Sequence, residues 1–144
     1  MNEKELQIIS HLRNDARTSL STVSQEVEMP ISTVYDKVTR MHKSSIVKKY
    51  TALVDFPKLG YHYNAKIALR VPREQKGELF TFLQNHKSIN SFHEINNGFD
   101  FLIETIHKDI KEYLSFMEIL QESFTIQELH EYQIINDVFR EKFL

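Results

Sequence analysis

The chain has 144 residues, 26% charged and 41% hydrophobic, and its ten Phe and six Tyr argue for a folded protein rather than a disordered one. It contains no Cys, which excludes disulfides, thiolate metal sites and cysteine nucleophiles. The net charge of −2 argues mildly against nucleic acid, but residues 1–60 carry nine Lys and Arg against seven Asp and Glu, while residues 61–144 carry nine against thirteen.

Residues 3–43 show apolar positions at helical period and no strand signal. Leu6, Ile9 and Leu12, reinforced by Ile8, form a first stripe that stops at Asn14 and Asp15. Leu20, Val23 and Val27 form a second, short stripe with Ser21 as its expected N-cap. The run Glu28-Met29-Pro30 breaks that helix. Ile31, Val34, Val38 and Met41 then recur at i, i+3, i+7 and i+10, a spacing that requires one face of a third helix.

From Ile46 to Val54 the chain is rich in β-branched and aromatic residues and reads as an extended hinge strand. Asp55 to Gly60 supplies Pro and Gly, a hinge. The remainder alternates in type. Residues 64–71 read as a strand, 73–86 as a helix, 89–95 and 99–106 as strands joined by a turn at Asn97-Gly98, 109–122 as a helix and 125–135 as a strand. The order β-α-β-β-α-β predicts a ferredoxin-like, split βαβ domain. The fold class is therefore α+β, with a three-helix, winged-type helix-turn-helix at residues 1–45, a linker at 46–60 and the ferredoxin-like domain at 61–144.

A helix-turn-helix lays its second helix in the major groove and reads DNA with that helix's outer face. Here the outer face offers Ser32, Thr33, Tyr35, Asp36, Lys37, Arg40 and Lys43, with Lys48 and Lys49 just beyond the helix. Cations suit phosphates and guanine edges, and hydroxyls suit either phosphates or bases. Within residues 31–49, five cations face one acid, Asp36, which is suited to cytosine N4 or to a pair with Arg40 one turn on.

Other chemistries lack their motifs. The seven His include no HExxH pattern, so no metal site is expected, and the three Gly form no phosphate-cradling loop. His93 and His130 lie on strands that could approach each other. Asp100 and Glu104 alternate on one strand face without a nucleophile beside them, and no enzyme is expected. No apolar run approaches the roughly 18 residues of a membrane span, and no signal core follows Met1, so the reading is a cytoplasmic protein without a membrane partner.

The segments Asp15-Ala16-Arg17, Leu20 to Val23, Ser32-Thr33-Val34-Tyr35 and Ile46 to Asp55 together resemble the Lrp/AsnC (feast/famine) transcription regulators. The resemblance covers about the first 60 residues without gaps and continues in the order of elements. It implies a regulator that binds double-stranded DNA and forms homodimers by packing the ferredoxin-like sheets, with higher assemblies such as octamers. It also implies an amino-acid effector near the hairpin, here Asn96, Asn97, Gly98 and Asp100, the last of which could pair with an α-ammonium group. No cofactor is implied. The departures are specific: Glu28 stands where the family has Gly, Pro30-Ile31 replaces Ser-Pro, and Ser45 stands where a Gly follows the third helix. Two alternatives remain at this level: an architectural DNA binder without effector, and a sensory module that docks on a metabolic partner.

Overall fold

A computed structural model describes residues 1–144 and divides by contact into two units, Met1–Leu53 with Val138–Leu144, and Val54–Asp137.

The first unit holds three helices: α1 (Glu3–Asn14), α2 (Leu20–Val27) and α3 (Ile31–Lys43). α1 starts with a capping box in which Asn2 and Glu5 satisfy each other's backbone N–H groups. Glu3 and Glu5 in its first turn and His11 and Arg13 in its last complement the helix dipole. α2 is capped by Ser19, whose hydroxyl accepts from the Thr22 N–H at 3.1 Å. Ser21, the expected cap, lies inside the helix, because Leu20 already has helical geometry. Ile8, Leu12, Val23, Val27, Val34 and Val38 form one buried cluster, with Leu20 and Met29 packed against it. Full burial of such side chains stabilises by about 1.5–3 kcal/mol each. The expected α1 stripe is displaced: Ile8 and Leu12 face the core, while Leu6 is exposed.

Both αL closures in this unit fall on residues other than Gly. α2 ends at Glu28 (φ 53°), whose N–H donates to the Gln25 carbonyl while the Met29 N–H donates to Ser24. α3 ends through Ser45 (φ 60°) in the same pattern. This is the Schellman closure, which Gly adopts without strain. Beyond Ser45, the expected hinge strand at 46–54 pairs with no strand of this chain. Its sequence has strand character, but a ladder needs a partner.

The second unit is a four-stranded antiparallel sheet in the order β2-β3-β1-β4, with β1 (Tyr63–Arg70), β2 (Ile89–Glu94), β3 (Phe101–His107) and β4 (Glu128–Gln133). Between them lie α4 (Lys76–Asn85), preceded by a 3-10 turn at Arg73–Gln75, and α5 (Ile110–Ser123). The chain order is β-α-β-β-α-β, and β1 sits centrally between β3 and β4, as a ferredoxin-like fold requires. Ala65, Ile67 and Leu69 of β1 and Phe101 and Ile103 of β3 alternate onto one face and pack with Leu79, Leu83, Phe116, Met117 and Leu120. The opposite face presents Lys66 and Ala68 of β1, Leu102 and Ile106 of β3 and Tyr132 of β4. His93 and His130 stand on β2 and β4, at opposite edges of the sheet, and do not meet.

Candidate nucleic-acid interface

The fold presents α3 by burying one side of it. Val34, Val38 and Met41 are buried, which turns Ser32, Tyr35, Asp36, Arg40 and Lys43 to solvent, with Thr33 and Lys37 partly buried at the flanks. Tyr35 is 60% exposed on this outer face. The turn into α3 is held by Ser24, whose hydroxyl donates to the Met29 carbonyl, and by the Val34 N–H, which donates to the Pro30 carbonyl at 3.1 Å.

The cations of this unit divide into those already engaged and those that are free. Lys37 donates to Glu5 Oε1 at 3.1 Å, and its side chain is only 13% exposed. It therefore ties α3 to the start of α1. The Asn2 N–H, and after it Lys37, hold the Glu5 carboxyl below the usual carboxylate range. Lys4 donates to the Val27 carbonyl at 2.6 Å, and Arg13 engages Glu141 and the Phe143 carbonyl. Arg40, Lys43, Lys48 and Lys49 are exposed and form no ion pair. Asp36 does not pair with Arg40, so its carboxylate stays on the outer face. Arg17, exposed and unpaired just before α2, is a free cation that the helical pattern did not single out. The Asp15-Ala16-Arg17 segment was its only signal.

The hairpin between β2 and β3 is the second candidate site. The Ile95 N–H donates to the Asp100 carbonyl at 3.0 Å, and Asn97 (φ 66°) and Gly98 (φ 93°) make the left-handed corner. Asn tolerates this region and Gly adopts it freely. Asn96, Asn97 and Gly98 are exposed, but Asp100 is not an open carboxylate. One oxygen accepts from the Val71 N–H at 3.0 Å, and the other lies 3.4 Å from Lys76 Nζ. Arg70 reaches the Gly98 carbonyl at 3.3 Å and Glu128 at 3.7 Å, and Phe99 lies against His130 with ring centroids 4.8 Å apart. The structure thus joins Gly98 to Arg70, and through it to Glu128, and Asp100 to Lys76, while Asn96 and Asn97 stay exposed on the turn. Glu104, expected beside Asp100, is fully buried and accepts from Asn90.

Residues 1–48 match the winged helix-turn-helix DNA-binding family model. The HTH-type transcriptional regulator FL11 of Pyrococcus horikoshii is 25% identical over 83% of this chain and 80% of its own. Among solved structures, the AsnC family transcriptional regulator from Agrobacterium tumefaciens superposes with a TM-score of 0.87 at 14% identity, covering 100% of this chain and 96% of that one. The transcriptional regulator NMB0573 of Neisseria meningitidis, solved as a complex with L-Met, also has a TM-score of 0.87 at 14% identity, over 97% and 93%.

Proposed function

We propose that this chain, whose fold is that of the Lrp/AsnC regulators and whose N-terminal residues form their DNA-binding helix-turn-helix, is a DNA-binding transcription regulator of that type. The observation that carries the reading is α3: a helix buried along Val34, Val38 and Met41, with free Arg40 and Lys43 beside Ser32 and Tyr35 on its outer face. Ser32, Thr33, Tyr35 and Asp36 lie in its first half, where a recognition helix reaches base edges. Arg40, Lys43, Lys48 and Lys49 are assigned to phosphates, and Lys37 to holding α3 in place. In this reading residues 1–45 bind DNA, 46–60 link, and 61–144 assemble the protein and sense an effector.

The effector class we assign is an amino acid, bound at the Asn96–Asp100 hairpin. The support is the L-Met complex of a protein with this fold. The polar hairpin adds to it, with Asp100 held by the Val71 N–H and Lys76 next to the exposed Asn96 and Asn97. The test is selection of bound duplexes from a randomised pool, followed by titration of the enriched duplex with and without an amino-acid mixture. The expected result is one enriched motif with two-fold symmetry, and an affinity that changes with one amino acid. Recovery of unenriched sequence, with binding lost at physiological salt, would favour an architectural binder instead.

A further inference from the structure

The end of α3 and the residues behind it make a contact that the helix-turn-helix plan does not require. The Ser45 N–H donates to the His42 carbonyl at 3.1 Å, and the N–H groups of Ile46 and Val47 both donate to the Met41 carbonyl, at 2.9 and 3.1 Å. These bonds turn the chain back along the helix it has just left. Three residues later the Tyr50 hydroxyl lies 2.9 Å from His42 Nε2, and the two rings meet edge to face with centroids 4.9 Å apart. The contact closes a loop from the last turn of α3 to Tyr50. Lys48 and Lys49, both exposed and free of ion pairs, immediately precede the closing residue.

An unpaired extended segment leaves its lysines many conformations, and ordering them on a phosphate backbone costs entropy at the moment of binding. A closed loop removes part of that cost beforehand. We propose that Tyr50 is a positioning residue that, through His42, holds Lys48 and Lys49 beside the C-terminal end of α3, so that they meet the phosphates of the same DNA segment as Arg40 and Lys43. The assignment rests on the DNA-binding reading above. Hydroxyl and imidazole can each donate or accept, so the pair forms with either histidine tautomer. The hydroxyl acts on DNA only through the two lysines.

The test is a double-mutant cycle read by fluorescence anisotropy over a salt series. It compares the wild type, Tyr50→Phe, Lys48→Ala with Lys49→Ala, and all three substitutions together, with a thermal melt for each. Loss of two phosphate contacts lowers the slope of log affinity against log salt by about 1.8. Tyr50→Phe, which keeps the ring and removes one hydrogen bond, should weaken binding about fivefold and lower that slope by part of the same amount. In the chain already lacking both lysines it should change neither. His42→Phe, which removes the same bond from the other side, should reproduce Tyr50→Phe and guards against an unfolded variant. If the losses simply add, or if Tyr50→Phe binds like the wild type while the lysine variant does not, the positioning role is wrong and the DNA-binding reading stands. If the lysine variant keeps the wild-type slope, the proposal fails as well. A wild type that binds no duplex removes the reading and the proposal together.

Discussion

At the residue scale, three side chains have consequences that can be measured. Glu28 and Ser45 hold αL geometry at the two ends of the recognition helix, where Gly would be unstrained. Glu28→Gly and Ser45→Gly should each raise stability by about 0.5–1 kcal/mol, read as an upward shift of the denaturant midpoint, despite the added freedom of the unfolded chain. An unchanged or lower midpoint would show that the strain is absorbed elsewhere. His107 is fully buried among Tyr113 and Phe116, and neither ring nitrogen has a hydrogen-bond partner. Burial pushes its pKa down, Glu112 opposes this, and His86 adds to it. The folded unit therefore favours the neutral ring, whereas the unfolded chain takes up a proton near pH 6.5. Stability from this residue is complete above pH 6.5 and is lost as the pH falls below it, because there the unfolded state binds more protons. His107→Phe should flatten that acid limb in denaturation at pH 7, 6 and 5, leaving the share of His86, which burial shifts the same way. A limb of unchanged steepness would mean that His107 is not its source.

At the scale of elements, the patterns that depend on near neighbours were legible and those that depend on distant partners were not. The spacing of Val34, Val38 and Met41 gave α3 and its outer face, and the alternation of Ala65, Ile67 and Leu69 gave β1. The Asn97-Gly98 turn also followed from two adjacent residues. Ser19 capped α2 in place of Ser21 because a cap is set by where helical geometry begins, which two nearby serines do not distinguish. Lys37 looked free because its partner, Glu5, is 32 residues away. Asp100 looked open because Val71 and Lys76 approach it only once β1 and α4 have folded. Each partnership gives a structural role that a substitution can tell apart from contact with DNA or an effector. Lys37→Ala should lower the denaturant midpoint of the N-terminal unit slightly, while leaving the salt slope of DNA binding near that of the wild type. A slope lowered by a full phosphate contact would return Lys37 to the DNA. Asp100→Ala leaves the Val71 N–H without its acceptor and should destabilise the ferredoxin-like unit by about 1–3 kcal/mol even without effector, measured by chemical denaturation. A variant of unchanged stability that has lost effector binding would instead make Asp100 a ligand residue.

At the scale of the molecule, a chain of net charge −2 can bind DNA where exposed cations free of ion pairs follow closely in sequence, as Arg40, Lys43, Lys48 and Lys49 do in the first unit. Arg40, Lys43, Lys48 and Lys49 act locally, within a Debye length of about 8 Å, while the acid excess lies in residues 61–144. No helix is long and apolar enough to cross a membrane. The sheet face carrying Leu102, Ile106 and Tyr132 suits self-association, and light scattering should give at least twice the chain mass of 17.1 kDa. A monomer at working concentration would remove the paired half-sites that a two-fold DNA motif needs. The central claim is that the outer face of α3 reads DNA, and one comparison tests it most directly. Wild type and Arg40→Ala are titrated by fluorescence anisotropy against the enriched duplex and a scrambled control at physiological salt. The account predicts tighter wild-type binding to the enriched duplex and, in Arg40→Ala, a weakening of about tenfold to hundredfold on both duplexes, the worth of one charge-assisted phosphate contact. Equal affinity of the two proteins for both duplexes would contradict it.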